Sequence, residues 1–388
     1  MKRISILMLV LLACFVLVAW PQAVAQDKYV IQTFDPVVPP GGWLPYQGTQ
    51  APAINSLGTI AGFYSDTEFV YHSFVRTSDG TITLFDAPDA GTQSVAGFVP
   101  TALGVLGGQG TYAIAINDSG AITGFYVDIA NMLHGFLRTP DGTITEFDAP
   151  GAGTGTGLGT EAANIGKDGT IAGTVYDNSG VAHGFLLPPN GKFVTFSVAG
   201  AGTGSGQGTV IEWASSLAST GAVTGNYIDA GNVIHGYVRA PLGAITTFDA
   251  PGAGTAAGQG TYSWSITNAG VVTAMFIDPN GVMHGYTRTA RGVFRVFDIP
   301  GAGRVSGQGT IPEGINAHGA VIGNFINTYG ENRGFRRTWG GSVKRFSVPA
   351  AGTGSGQGTV PLTDNASGMT TGSYFDNNFG LHGFVITF

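Results

Sequence analysis

Short apolar segments, separated by clusters of Gly, Asn and Asp, run along the chain. Within one stretch of 40 residues these segments are Tyr112–Ile116, Ala121–Val127, His134–Thr139 and Thr143–Phe147. They are rich in Val, Ile, Thr, Phe and Tyr, and turn residues that tolerate positive φ, such as Asn117-Asp118-Ser119-Gly120, lie between them. No stretch of the sequence has the period of an amphipathic helix. The pattern therefore predicts four short antiparallel strands.

The same pattern recurs along the chain. A Gly-Thr phrase, followed by a strand and a turn glycine, places its threonine at residues 49, 111, 160, 209, 261, 310 and 359. The spacings are 62, 49, 49, 52, 49 and 49, so the unit is 49 residues long, with insertions of 13 and 3 residues. Units of 40 to 50 residues with four strands each are typical of β-propeller blades. We predict an all-β, seven-bladed β-propeller with blade units that start near these seven threonines.

Two further sequence features recur at nearly constant distances from the repeat threonines. One basic residue follows each threonine by 23 residues, or by 26 in the fourth copy: His72, His134, His183, His235, His284, Arg333 and His382. Each of the first six units then closes on a Phe-Asp or Phe-Ser phrase, as at Phe147-Asp148 and Phe196-Ser197. The seventh unit lacks this phrase, whereas residues 29–35 (YVIQTFD) supply it ahead of the first unit. Pairing the two fragments hides two strand edges, so we predict that the N-terminal strand completes the last blade and closes the ring.

The first 25 residues resemble a secretory signal: Lys2-Arg3, an apolar run to Trp20, then Ala23-Val24-Ala25 before Gln26. We predict cleavage, a secreted periplasmic or extracellular protein, and one propeller domain over residues 26–388 with no membrane span. A membrane anchor and a lipoprotein attached through Cys14 are the weaker alternatives. Cleavage removes two bases and no acids, which leaves 15 basic and 24 acidic residues, a net charge of −9. It also removes the only cysteine, so the mature chain has no disulfide.

The segments Ile116–Gly124 and His134–Phe136, followed by Asp141-Gly142, resemble the bacterial extracellular repeats of the HAF family, named after a His-Ala-Phe signature. This chain has Gly or Ser where the family has Ala. The resemblance covers nearly the whole mature chain and implies export and a repeat architecture. It implies no particular activity.

Six of the seven histidines occupy the same repeat position, each six residues after an aspartate, as in Asp128 and His134. Six equivalent pairs indicate framework rather than catalysis, and we expect each pair to bridge the hairpin between the second and third strands. The glycine-rich linkers lead into strands and not into helices, so they do not fit a phosphate-binding loop. We predict no cofactor and no metal site, because potential metal ligands in different blades lie far apart.

Residues that break the repeat are the better functional candidates. They cluster near the linker-proximal ends of the first strands, except for one arginine in a linker: Tyr112, Glu161, Glu212, Trp213, Tyr262, Trp264, Arg304 and Glu313. The three-residue insertion of the fourth unit falls at Glu212-Trp213. Aromatic rings beside carboxylates suit sugars, which offer apolar faces for stacking and hydroxyls for hydrogen bonds. The structural alternative is that the aromatics fill gaps between blades and the carboxylates are solvated.

The function predicted from these residues is an exported, monomeric binding module that recognises a glycan or a protein on its linker face. The alternative is a carbohydrate-active enzyme, a glycoside hydrolase or polysaccharide lyase, that uses two of Glu161, Glu212 and Glu313 as acid and base. Nucleic acid is an improbable partner, because charged residues make up only 11% of the chain and acids outnumber bases.

Overall fold

The computed structural model describes residues 29–39, 42–93, 99–101, 104–106, 108–213 and 215–388. The predicted signal peptide and part of the 13-residue insertion lie outside these residues. The described residues form 31 strands and no helix, so the all-β prediction is confirmed. It follows that this part of the chain has no helix long and apolar enough to cross a membrane.

The strands follow the repeat, and four of them in sequence make up a typical unit. In chain order they are β1 (Val30–Phe34), β2 (Thr49–Ile54), β3 (Ile60–Ser65), β4 (Tyr71–Arg76), β5 (Ile82–Phe85), β6 (Val99–Thr101), β7 (Gly104–Leu106), β8 (Gly110–Ile116), β9 (Ile122–Val127), β10 (Leu133–Arg138), β11 (Ile144–Phe147), β12 (Gly159–Ile165), β13 (Ile171–Tyr176), β14 (Ala182–Leu187), β15 (Val194–Phe196), β16 (Gly208–Val210), β17 (Val223–Ile228), β18 (Ile234–Arg239), β19 (Ile245–Phe248), β20 (Gly260–Thr261), β21 (Ser265–Ile266), β22 (Val272–Ile277), β23 (Met283–Arg288), β24 (Phe294–Phe297), β25 (Gly309–Ile315), β26 (Val321–Ile326), β27 (Asn332–Arg337), β28 (Val343–Phe346), β29 (Gly358–Asp364), β30 (Met369–Phe375) and β31 (Leu381–Thr387).

Neighbouring strands within a unit pair antiparallel. In the second unit β8 pairs with β9, β9 with β10 and β10 with β11, so the four strands predicted for this unit are all present. Units are joined by a parallel bridge between the third strand of one unit and the Gly-Thr start of the next, as in Leu133 opposite Gly159. Twenty-nine strands belong to one hydrogen-bonded sheet, and β6 and β7 form a separate hairpin in the insertion.

The Gly-Thr phrase is explained by the contact between units. Gly159 has φ +125°, and a Cβ on it would lie 2.0 Å from the carbonyl oxygen of Leu133, so only glycine fits. The hydroxyl of Thr160 accepts a hydrogen bond of 2.9 Å from the backbone N–H of Ala149, which follows the fourth strand of the preceding unit. The phrase therefore fixes each unit against the unit before it.

The glycine of the His-Gly-Phe phrase leaves room for an aromatic ring of the neighbouring strand. Gly135 of β10 lies opposite Phe147 of β11, and a Cβ on Gly135 would lie 2.4 Å from the Phe147 ring. The absent side chain leaves room for the ring, which packs against the buried Phe185 of the next unit. The glycine and the phenylalanine therefore depend on each other.

The repeated histidines have a partner that the sequence analysis missed. The Nδ1 atom of His134 lies 3.0 Å from Asp148, the aspartate of the Phe-Asp phrase, whereas Nε2 lies 3.6 Å from the predicted partner Asp128. Asp128 mainly caps its own turn by accepting a hydrogen bond of 2.7 Å from the Met132 N–H. The His134 ring also stacks on Tyr126, with ring centroids 4.9 Å apart. His134 therefore has a framework role, but its shorter contact is with Asp148, which follows the fourth strand, and not with the predicted partner Asp128.

The N-terminal strand follows the same scheme at the far end of the chain. β1 pairs antiparallel with β31, with Val30 opposite Thr387 and Phe34 opposite Gly383. Asp35 then takes the position of Asp148, because its Oδ2 lies 2.7 Å from Nδ1 of His382, 347 residues away in sequence. The N-terminal segment therefore supplies the fourth strand of the seventh unit.

We expect deletion of residues 26–36 to lower the melting temperature by about 10 °C or more and to cause aggregation. The deletion exposes the edge of β31 and removes the partner of His382. A variant that lacks only residues 26–28 is the control, and thermal melts followed by circular dichroism are the measurement. Equal melting temperatures for the two variants would contradict the role assigned to β1.

We expect His134→Ala to lower the free energy of unfolding by about 1–2 kcal/mol. The hydrogen bond to Asp148 raises the pKa of His134, so its contribution is present in full below the unfolded pKa and is lost as the pH rises through the folded pKa. The cost should therefore be larger at pH 6 than at pH 8 in denaturant titrations. His318→Ala, which removes an exposed histidine outside the repeat, is the control; an equal cost there would refute the prediction.

Candidate functional site

One position of the repeat supplies most of the candidate site. It lies three residues after each repeat threonine and is occupied by Pro52, Ile114, Ala163, Glu212, Trp264, Glu313 and Leu362. In the five units with an unbroken first strand, the pairing register shifts at this position, as between Pro312 and Gly314. Such a bulge leaves one residue unpaired and re-aims its side chain. The position is therefore free of the constraints that pairing places on its neighbours.

The first strand is interrupted in the fourth and fifth units. β16 ends at Val210, and pairing resumes only at the bridge between Leu217 and Val223. β20 and β21 are separated by residues 262–264. The interruptions hold Glu212-Trp213 and Trp264, the residues that the sequence analysis singled out as departures from the repeat.

Residues from five units enclose one cavity of about 290 Å³, which we call the central cavity. It is lined by Gln50, Pro52, Glu212, Trp213, Trp264, Glu313, Leu362 and Thr363. Four of these are predicted site residues. The sequence analysis missed the other four, although the repeat offset shared with Glu212 and Glu313 would have identified Pro52 and Leu362.

Hydrogen bonds orient the carboxyl groups of Glu161 and Glu212. Glu161 is 2% exposed; it accepts a hydrogen bond of 2.9 Å from the hydroxyl of Tyr176 and another from the indole N–H of Trp213. Glu212 accepts a hydrogen bond of 2.8 Å from the amide of Asn226. Both carboxyl groups are therefore oriented before any ligand arrives.

Glu313 differs from the other two carboxyl groups. Its carboxyl group has no hydrogen bond and no ion pair with any residue that the structure describes. Burial and repulsion from Glu212 raise its pKa to about 8. Burial and repulsion from Glu161 likewise raise the pKa of Glu212 to about 7. The central cavity thus holds two carboxyl groups that exchange protons near neutral pH.

The two tryptophans have different roles. Trp213 packs against Phe63 and Phe125 of the first two units, with ring centroids 6.4 and 5.8 Å away. It fills the space beside those units and belongs largely to their core. Trp264 donates its indole N–H to the carbonyl of Pro312 at 2.7 Å, so it presents only apolar indole surface to the cavity.

Besides Glu161, which lies behind Trp213, three predicted residues do not line the central cavity. Tyr112 is 1% exposed and lies stacked between Tyr71 and Phe125, with ring centroids 4.6 and 4.8 Å away. Tyr262 packs against Trp264 from outside the cavity lining. Arg304 is exposed and borders a separate cavity of about 600 Å³ beside His284, Asp278 and Asp298. The structure therefore divides the predicted set into one central group and these outlying positions.

Within the described part of the chain, no three His, Cys, Asp or Glu side chains are grouped so that they could hold a metal ion.

No family model and no curated protein matches the sequence. Solved structures do match. The BP39L lectin from Burkholderia pseudomallei is 10% identical with a TM-score of 0.50, and the match covers 88% of this chain and 99% of the lectin. Puromycin hydrolase is 10% identical with a TM-score of 0.48, over 85% of this chain and 50% of the hydrolase. AofleA from Arthrobotrys oligospora is 12% identical with a TM-score of 0.44, over 83% and 90%. The chain and the lectin share a fold.

We expect Glu313→Gln to raise the melting temperature by several degrees at pH 8.5 and to leave it nearly unchanged at pH 5. The folded pKa of about 8 lies above the ordinary value of 4.5, so the folded state binds more protons and stability falls as the pH rises between these values. Glutamine removes this loss. Glu68→Gln, at an exposed site, is the control. Parallel pH profiles for wild type and Glu313→Gln would show that the carboxyl group does not titrate as proposed.

Proposed function

We propose that the chain is a closed, seven-bladed β-propeller that acts as an exported, monomeric carbohydrate-binding module, with the central cavity as its binding site. The observation that carries this proposal is the convergence of Glu212, Trp264 and Glu313, which share one repeat position, on one cavity. The fold outside these positions is governed by the repeat, whereas the cavity is built from departures from it.

Contacts between the two ends of the chain support closure. The parallel bridge that joins consecutive units recurs between Leu381 and Gly48. Asn365 donates a hydrogen bond of 2.9 Å to the carbonyl of Asn55, as Asn55 donates at 3.2 Å to the carbonyl of Asn117. The first unit therefore contacts the seventh as it contacts the second, which supports a ring of seven. The signal-like residues 1–25 and the resemblance to the HAF repeats support export.

The cavity favours a small carbohydrate over a protein. Its volume of about 290 Å³ lies just below the ~300–1,000 Å³ range of small-molecule sites and leaves room for a small ligand only. Trp264 offers an apolar face for a sugar ring, and Gln50, Thr363 and the carboxyl groups offer hydrogen bonds to hydroxyls. That the fold is shared with a lectin is compatible with this use.

One observation favours the enzymatic alternative, a glycoside hydrolase. Glu313 holds its proton to about pH 8 beside Glu212, which ionises near pH 7, and such a pair can act as acid and base. The enzyme requires turnover, which binding does not. Release of reducing sugar by the wild type, abolished in both Glu212→Gln and Glu313→Gln, would establish it; binding without turnover supports the module.

We expect Trp264→Ala to weaken binding of the sugar that a glycan array identifies by about tenfold, or ~1.4 kcal/mol. The loss reflects the missing stacking surface. Calorimetric titration is the measurement, and Trp264→Phe, which retains a ring, should recover part of the affinity. Trp339→Ala, at an exposed tryptophan outside the cavity, is the matched control. Unchanged affinity in folded Trp264→Ala would move the site away from the central cavity.

A further inference from the structure

The charges at the central cavity are all of one sign. Glu212 and Glu313 line it, Glu161 lies directly behind Trp213, and no Lys, Arg or His is among the lining residues. A neutral sugar needs hydrogen-bonding groups, but it does not need three carboxyl groups without a counter-charge. The cavity therefore has a deficit of positive charge that its own residues do not correct.

The repeat arginines are committed elsewhere. They stand at the ends of the third strands and lie over phenylalanine rings of the preceding unit, as Arg138 lies 4.7 Å from the Phe85 ring and Arg239 lies 5.0 Å from the Phe196 ring. Such cation–π contacts occupy the guanidinium groups at the fourth strands. The repeat arginines therefore lie at the fourth strands and do not line the central cavity.

Bringing a cation into this cavity gains energy in two ways. It offsets the repulsion between Glu212 and Glu313, which a neutral ligand leaves unchanged. It also interacts with the indole rings that line the cavity, since the face of Trp is the strongest aromatic site for a cation. Glu313, which has no partner in the described structure, can accept a hydrogen bond from such a ligand.

A primary ammonium fits this site better than a metal ion does. It has three N–H donors. Among the described residues none bonds the oxygens of Glu313, and Asn226 engages only Oε1 of Glu212, so three carboxyl oxygens can accept these donors. Pro52, Leu362 and the tryptophans provide apolar walls, which suit the carbon skeleton of an organic amine. A metal ion requires several converging ligands, and no such group is present among the described residues.

We propose that the central cavity selects a carbohydrate with a protonated primary amine, an amino sugar, and that its ammonium group lies between Glu212 and Glu313. The proposal rests on the carbohydrate-binding function and names the ligand class. Ligand binding then holds both carboxyl groups ionised and releases the protons they carry in the free protein.

Besides Glu313, the titratable groups that face Glu212 are one carboxyl group and three phenols, and the phenols do not contribute to this proton release. They are Glu161 and the phenols of Tyr176, Tyr237 and Tyr262. Burial raises the pKa of all three phenols, that of Tyr262 to about 12, so they remain neutral between pH 6 and 8. Burial also raises the pKa of Glu161, opposed by its hydrogen bonds from Trp213 and Tyr176.

The test compares glucosamine with N-acetylglucosamine and glucose by calorimetry on the mature protein at pH 6.5. N-acetylglucosamine has a neutral amide in place of the amine and is the matched ligand. We expect glucosamine to bind at least about tenfold more tightly than either neutral sugar. Titrations in two buffers of different ionisation enthalpy should show proton release for glucosamine only. Glu313→Gln should reduce the preference to less than about threefold, and Glu68→Gln should retain it.

The outcomes separate the two proposals. Neutral sugars that bind as tightly as glucosamine, or glucosamine that binds without proton release, would overturn the amine site and leave the carbohydrate-binding function standing. Conversely, methylammonium chloride should raise the melting temperature of the wild type above that in equal sodium chloride, and not that of Glu313→Gln. A methylammonium effect without binding of any sugar on the array would retain the amine site and contradict the carbohydrate function; no methylammonium effect would contradict the amine site itself.

Discussion

The structure depends on the close approach of one glycine to a backbone carbonyl, repeated at the start of each unit. Gly110, Gly159 and their equivalents lie so near the third strand of the preceding unit that a single added carbon would collide with it. The threonine that follows then binds the loop leaving the fourth strand of that same unit. Each unit is thus held against the unit before it by contacts to its backbone, in addition to the aromatic and cation–π contacts between the units.

This constraint separates framework from site. The paired residues of each first strand are tied to the second strand, whereas the residue three positions after the repeat threonine is unpaired and ranges from Ala163 at a bulge to Trp264 at a break in the strand. Leu362 and Glu313 occupy equivalent positions in consecutive units and differ completely in chemistry. The central cavity can therefore acquire new side chains while the sheet that surrounds it keeps its hydrogen bonds.

The sequence predicted the elements well and the contacts less well. The strands of the second unit were predictable because Gly and Asn mark every turn. The partnership of His134 with Asp148 was not, because a spacing of 14 residues becomes a contact only when β10 and β11 are in register. Tyr112 was grouped with the site because it departs from the repeat, yet it fills a gap among aromatic rings. Departure from a repeat marks a position as unusual, whereas its burial follows from neighbours in other units.

The pairing of β1 with β31 also sets an order of events during folding. The strand that leaves the ribosome early has its partner at the other end of the chain, so β1 stays unpaired while the intervening units form. Contacts of such long sequence separation form late, because the loop between them must close first. Until then two open strand edges are exposed together, one on each terminal segment. The pairing of β1 with β31 therefore comes late in assembly, and the chain is most vulnerable to intermolecular strand pairing just before it.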